Sequence, residues 1–347
     1  MLLAVLLLAG GLAACGIDGV TEAGSSSTTD PSSSSTSSTT EPEGPDDPDA
    51  PLITQDEALE AVDAFMNANN EANSTLDTAI LVDIETGSAA ALDEAWYRGQ
   101  RTLGETAAST FTWDDVEVYV PRVEAYPASF LASVSYQVED PPNTGVQIQV
   151  YEKASATASW KLSHYDNMAP GTALPALDVD DEGYLTELDP ADLAVLPEDV
   201  TKELGALMKD PAAQTRVAPS DEVDAARGTI TDRIAEEARS TLNHEITYDT
   251  PSSPGYPTFA FPLSGGGALV LGVLGVREII TPVTAGSTVN VSAELTAGLV
   301  PAGDKYTKVE LRSLVAYVGT VPAADDDRPI RMIALYQGII GARAEQP

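Results

Sequence analysis

Phe111-Thr112-Trp113-Asp114-Asp115-Val116-Glu117-Val118-Tyr119-Val120 is the stretch where the chain changes its hydrophobic period. Before it the pattern is helical. Thr54 and Glu57 have capping-box spacing, and Leu59, Val62, Phe65, Met66 and Asn69 recur at helical intervals, which predicts a helix over 55–73. Two more are expected over 76–84 and 89–97, parted at Glu85-Thr86-Gly87. From Phe111 onward the chain reads as strands, continuing at 129–138, 146–151 and 159–165, with Pro141-Pro142-Asn143-Thr144-Gly145 as a hairpin turn. Helices followed by four antiparallel strands make an α+β order.

The order then repeats. A Pro-dotted passage, 168–197, leads to helices expected at 198–209 and 221–242, then strands at 257–262, 268–280, 308–318 and 330–340. Val289, Val291, Ala293 and Leu295 alternate with polar neighbours, which predicts one more, half-exposed strand. The final strand is apolar on both faces, so it should be central or covered on both sides. The expectation is therefore two α+β domains, 52–167 and 198–347, each with helices packed on a curved antiparallel sheet and joined by a linker over 168–197. This order resembles the nuclear-transport-factor-2-like, or cystatin-like, roll. Ile84-Glu85-Thr86-Gly87 and the string LSGGGALV, 263–270, are similar to uncharacterised lipoproteins of actinobacteria. The resemblance implies an architecture and no activity.

The N-terminal segment addresses location. Residues 2–12 are apolar and uncharged, too short for a membrane-spanning helix, which needs roughly 20 residues. They match the core of a secretory signal. Leu12-Ala13-Ala14-Cys15 then resembles the lipobox of bacterial lipoprotein precursors, which implies cleavage before Cys15 and a diacylglyceryl thioether on its sulfur. Two acyl chains anchor stably where one does not. Such signals begin with Lys or Arg; Met1-Leu2-Leu3-Ala4 has neither, so we expect a translation start upstream. Residues 1–14 are thus expected to be a signal peptide, and 15–51 the lipidated Cys15 followed by a disordered stalk. The Ser/Thr run 25–40 and the acidic, Pro-rich piece after it have no apolar surface to offset ordering. As a coil the stalk would span on the order of 30 Å.

Composition narrows the function classes. With 54 acidic against 18 basic residues the net charge is −36, a surface that repels nucleic acid. Cys15 is the single cysteine, so neither a disulfide within the chain nor a cysteine metal site is possible. No catalytic residue stands out. His164 and His244 are the two histidines, and there is no G-x-S-x-G elbow. His244-Glu245 opens like a zinc-protease helix, but Tyr248 stands where the second His is required. Gly265-Gly266-Gly267 lies between two strands, so it reads as a turn needing positive φ rather than a phosphate cradle. Asp178, Asp180, Glu182, Gly183 and Leu185 mimic a calcium loop whose twelfth position is Asp189 instead of Glu. Pro170, Pro175 and Pro190 deny it flanking helices, which favours a solvated acidic linker and leaves calcium as the weaker alternative.

Trp96, Tyr97, Trp113, Tyr136 and Trp160 are candidates to line a pocket, or else to fill the core. The roll resemblance implies enzymes such as ketosteroid-isomerase-like proteins, which use Asp and Tyr; sequence alone singles out no Asp, because it does not reveal burial. The expected function is a binding or interaction module with no cofactor, lipid-anchored at the outer face of the cytoplasmic membrane, holding an envelope protein or an apolar small molecule. The alternative is an enzyme with a carboxylate/tyrosine pocket.

Overall fold

The computed structural model describes residues 51–138, 143–169, 171–234, 238–250, 255–303 and 305–347. Cys15 with its lipobox, and the stalk to residue 50, lie outside them. Helix α1, Gln55–Thr75, starts where the capping box places it: Thr54 Oγ1 accepts from the Glu57 amide at 3.1 Å. Its buried face is Ala58, Ala61, Val62, Phe65 and Ala72. Helix α2, Thr78–Ile84, is capped by Asp77. Helix α3, Gly87–Leu103, runs past the expected end near Tyr97 and stops at Gly104, whose φ of 93° only glycine adopts freely. Then come β1 (Phe111–Tyr119), β2 (Ala128–Val138), β3 (Asn143–Lys153) and β4 (Lys161–Asn167), an antiparallel meander in chain order.

The second half has α4, Pro197–Lys209, and α5, Asp221–Thr231, the latter capped by Ser220. α5 is shorter than expected. Gly228 and the β-branched Thr229, Ile230 and Thr231 weaken it, and the chain re-forms as β5, Leu242–Asp249, with the strict in–out burial of a strand. The remaining strands are β6 (Phe259–Pro262), β7 (Ala268–Pro282), β8 (Val289–Asn290), β9 (Lys305–Tyr306), β10 (Lys308–Val321) and β11 (Arg331–Glu345). The half-exposed strand expected over 289–296 is corrected: only β8 is extended, and α6, Ala293–Thr296, follows it. Ser292 explains the change, because its Oγ accepts from the Leu295 amide at 3.1 Å and turns the chain. Of the two alternatives expected for the last strand, β11 takes the second, covered on both sides. It is the edge of the order β11-β10-β7-β5, with β6 also on β7. Its two apolar faces are explained by cover from both sides, Leu335 packing with α4 and α5 and Tyr336 with the first sheet and its helices.

Strand alternation sorts the core into layers. Phe130, Ala132 and Val134 of β2 meet Val62 and Phe65 of α1, while Leu131 points the other way. On β7, Val270 and Leu274 meet Leu204 and Met208 of α4, whereas Leu269 and Leu271 join Leu131, Ile148 and Val150. The layers therefore run helices, sheet, sheet, helices, and the described residues form one compact unit. The passage 168–197 threads this arrangement, with Met168, Leu177 and Leu185 buried in the cluster between the sheets.

Candidate functional site

Where α2 ends, Glu85 forms a parallel bridge with Leu162 of β4, and the Thr86 amide donates to the Leu162 carbonyl at 2.8 Å. Gly87 then turns the chain into α3 with φ 58°. A Cβ there would lie 2.7 Å from Ser163 Oγ and 2.8 Å from the Ser163 carbonyl, so the glycine is required twice over. Ser88 Oγ donates to that carbonyl at 3.1 Å and meets His164 Nδ1 at 3.2 Å. Opposite, β4 carries a bulge: Val150 pairs with His164 and Tyr151 with Leu162, leaving Ser163 unopposed. The Ile84-Glu85-Thr86-Gly87 string is thus a packing junction that pins the helices to β4.

This junction drives acids inward. Glu85 is 3% exposed and its one close polar neighbour is the Asp93 carboxyl. Asp93 of α3 faces it, half-buried, and its Oδ1 accepts from Tyr165 Oη at 2.5 Å. The Tyr165 ring lies 5.7 Å from that of Tyr336 on β11. Asp166 is fully buried; its Oδ1 accepts from the Asn167 amide at 2.8 Å and its Oδ2 is unpartnered, as is His164 Nε2.

Burial dominates the electrostatics. It pushes the Glu85 carboxyl well above the usual range, with the Asp93 charge adding to it, and does the same to Asp166. Burial lifts Asp93 to about 6, against the hydrogen bond from Tyr165, which lowers it. It lowers His164 to about 3, so this imidazole is neutral, and raises Tyr336 to about 12. No lysine or arginine is among the groups acting on the three carboxyls. The site gathers two carboxyls that burial keeps protonated, Glu85 and Asp166, an Asp93 that ionises near 6, and phenols.

The aromatic candidates divide between two clusters: Trp113 and Trp160 pack against the core under α1, while Tyr97 belongs to another between α1, α2 and α3. Tyr97 is buried under α1 and α2, its hydroxyl donating to Asn73 Oδ1 at 2.6 Å, beside a Trp96 that is 37% exposed. Trp113 stacks on Phe111 of β1, and Tyr136 of β2 meets both rings edge-on. Trp160 packs on Phe130, and its Nε1 donates to Glu57 Oε1 at 3.0 Å. The acidic loop is engaged locally: Arg122 pairs with Asp180 and Glu182, Thr186 donates to Asp178 at 2.7 Å, and Asp189 accepts from the Ala191 amide at 2.8 Å. Among the described residues no group of three or more His, Cys, Asp and Glu side chains is arranged to hold a metal ion. His244 lies on β5 and meets the buried Glu278 at 2.9 Å, which Arg233 also contacts at 3.1 Å.

Comparison with known proteins assigns the body to a family. Residues 49–344 match a domain of unknown function, DUF8094. The chain belongs to that family. The DUF8094 body is also similar to an uncharacterized lipoprotein of Streptomyces coelicolor, 26% identical over 229 residues. That match covers 63% of this chain and 66% of the relative, so the chain spans a little under two thirds of the relative's length. Two clefts mark the DUF8094 surface: one of about 350 Å³ beside α4, lined by Leu193, Leu196, Asp199, Lys202 and Glu203, and one of about 180 Å³ lined by Ser220, Arg331 and Met332. The acid cluster borders neither. Sequence reading missed it because its members come from α3, β4, β11 and a junction far apart along the chain. The one available signal was a charged residue, Glu85, wedged between an apolar residue and a Thr-Gly pair at the meeting of two helices.

Proposed function

We propose that this DUF8094 protein is a lipoprotein: Cys15 carries the lipid, the stalk spaces the body from the outer face of the cytoplasmic membrane, and the body binds a partner. The observation that carries the reading is Leu12-Ala13-Ala14-Cys15 ahead of a Ser/Thr stalk that reaches to the first residues of the DUF8094 match. The name of the Streptomyces relative supports it. No helix among the described residues is long and apolar enough to cross a membrane. We also infer that 52–167 and 198–347 are two copies of the helices-first roll joined by 168–197; the support is the repeat of helices on one face of an antiparallel sheet. Binding is favoured because apolar side chains fill the layered cores, and a packed body offers its surface to an envelope protein more readily than a buried cavity to a small molecule. Replacing Cys15 with Ser, or treating cells with globomycin, is expected to block processing and move the protein out of the detergent phase. Unchanged processing and partitioning would reject the anchor. Cross-linking in intact cells is expected to capture one specific envelope component.

One observation favours a second reading, an enzyme. Asp93, which ionises near 6, accepts a 2.5 Å hydrogen bond from Tyr165, the carboxylate–tyrosine pair such chemistry uses. It requires a ligand to reach Asp93. Titration with substituted phenols, followed by absorbance and repeated with Asp93→Asn, tests it; no Asp93-dependent binding removes the reading.

A further inference from the structure

Helix α3 is the clasp between the two halves. It lies on β4, an edge of the first sheet, and on β11, an edge of the second. The fit is close. A Cβ on Gly338 of β11 would stand 2.6 Å from Leu92 of α3, and one on Gly99 of α3 would run into the Ala297 carbonyl after α6. Under this clasp sits the acid cluster, with Glu85 and Asp166 more than nine-tenths buried and Asp166 carrying an unpartnered oxygen.

We propose that the α2–α3 junction, α3, β4 and β11 form a proton-operated latch, closed when Glu85, Asp93 and Asp166 are protonated and loosened when they ionise. The groups facing one another support this from every side. The junction gives Glu85; α3 gives Asp93, Glu94 and Tyr97; β4 gives His164, Tyr165 and Asp166; β11 gives Tyr336; β3 gives Tyr151; and Tyr256, before β6, feels Glu94. All are acids, phenols or a neutral imidazole, so a charge forming here has no counter-ion and is not relieved by moving a proton to a neighbouring base. Glu85 and Asp93, which face each other, cannot both ionise in place, and Asp166 would have to ionise while buried beside Tyr336. The remaining relief is water, which reaches the almost fully buried Glu85 and Asp166 only if α3 lifts from β11.

The direction follows from linkage. A carboxyl raised on folding contributes its full share of stability below its unfolded pKa, and loses it as pH rises through the folded value. For Asp93, at about 6 in the closed state and 3.8 when opened to water, that window is about pH 4 to 6. Acid closes the latch and neutral pH loosens it.

Hydrogen exchange of the intact protein, read by mass spectrometry at about pH 5 and 7.5 and corrected for intrinsic rates, tests this. Asp93 alone is expected to make opening of α3 and β11 about tenfold more frequent at the higher pH. A general loosening by the −36 net charge is the rival cause, and it is screened by salt whereas a buried cluster is not. The effect should therefore persist in about 0.5 M salt, be confined to α3, β4 and β11, and disappear in Asp93→Asn/Glu85→Gln. The exposed Glu60→Gln should leave it intact. Equal protection at the two pH values, or a pH effect that salt abolishes, overturns the latch. Those two arms use the unmodified protein, so they decide even if the double variant does not fold.

Discussion

Gly87→Ala is the sharpest perturbation of the junction. Three costs add. Alanine at φ 58° sits in the left-handed region, which costs a residue with a Cβ roughly 1–2 kcal/mol. The new methyl also meets Ser163 Oγ at 2.7 Å and the Ser163 carbonyl at 2.8 Å. One of those contacts is backbone, held in β4 and unable to rotate away, so the junction itself must lift. Lifting breaks the bonds from the Thr86 amide to Leu162 and from Ser88 to Ser163, each worth about 1 kcal/mol net. The expected loss is about 3 kcal/mol, which for a body of this size lowers the midpoint of thermal unfolding by about 6 °C. Urea unfolding followed by tryptophan fluorescence measures it. Gly87→Asn separates the parts: asparagine tolerates the left-handed backbone but keeps the Cβ, so it should recover only the strain. A loss below about 1 kcal/mol for Gly87→Ala, or full recovery with Asn, would show that the junction is not clamped on Ser163.

Three further substitutions read other parts of the fold. Ser163→Ala removes a buried hydroxyl with no partner and is expected to be neutral or stabilising by up to about 1 kcal/mol in the same urea assay. Glu278→Ala strips the buried partner from Arg233 and His244 and should cost about 3–5 kcal/mol, much more than an exposed ion pair. Leu131→Ala opens a cavity in the cluster shared by both sheets, so calorimetry should show a loss of about 2–5 kcal/mol in one transition common to both halves.

The helices-then-strands order was legible because the period changes sharply at Phe111, and α1 begins at Thr54 because its hydroxyl has one obvious amide to cap. Errors arose where two patterns overlap. Val289 to Leu295 alternates like a strand, but Ser292 offers a local hydrogen bond that the alternation does not reveal. In 221–242 a few apolar residues at helical spacing hid the weak helix formers around Gly228 and the alternation of β5. β11 was read as central or covered on both sides, and it is the covered case: an edge strand under two layers has the same two apolar faces as a central one. The acid cluster was beyond reach for a different reason. Asp93 differs in no local way from the exposed Asp63 on α1; only the approach of β4 half-buries it and brings Tyr165 to it.

The acidic loop 178–189 poses a choice between a cation and an arginine, and the arginine has geometry on its side. Arg122 Nε lies 2.8 Å from Asp180 Oδ2, its other end pairs with Glu182, and its guanidinium covers the Tyr184 ring at 4.5 Å. The second oxygen of Asp180 already accepts from the amides of Glu182 and Tyr184, both at 2.9 Å. Calcium needs six to eight oxygens, so it would have to expel Arg122 and break the turn that arranges the loop. The pairs are exposed, so removing Arg122 should itself cost no more than about 1 kcal/mol. Calcium then gives the decisive contrast. A site with a dissociation constant near 10⁻⁴ M, typical of extracellular modules, would stabilise the protein by about 2.7 kcal/mol at a hundredfold excess. The unmodified protein should show no such shift in its melting point. Should it do so, and Arg122→Ala show a larger one, the loop is a calcium site that Arg122 merely guards.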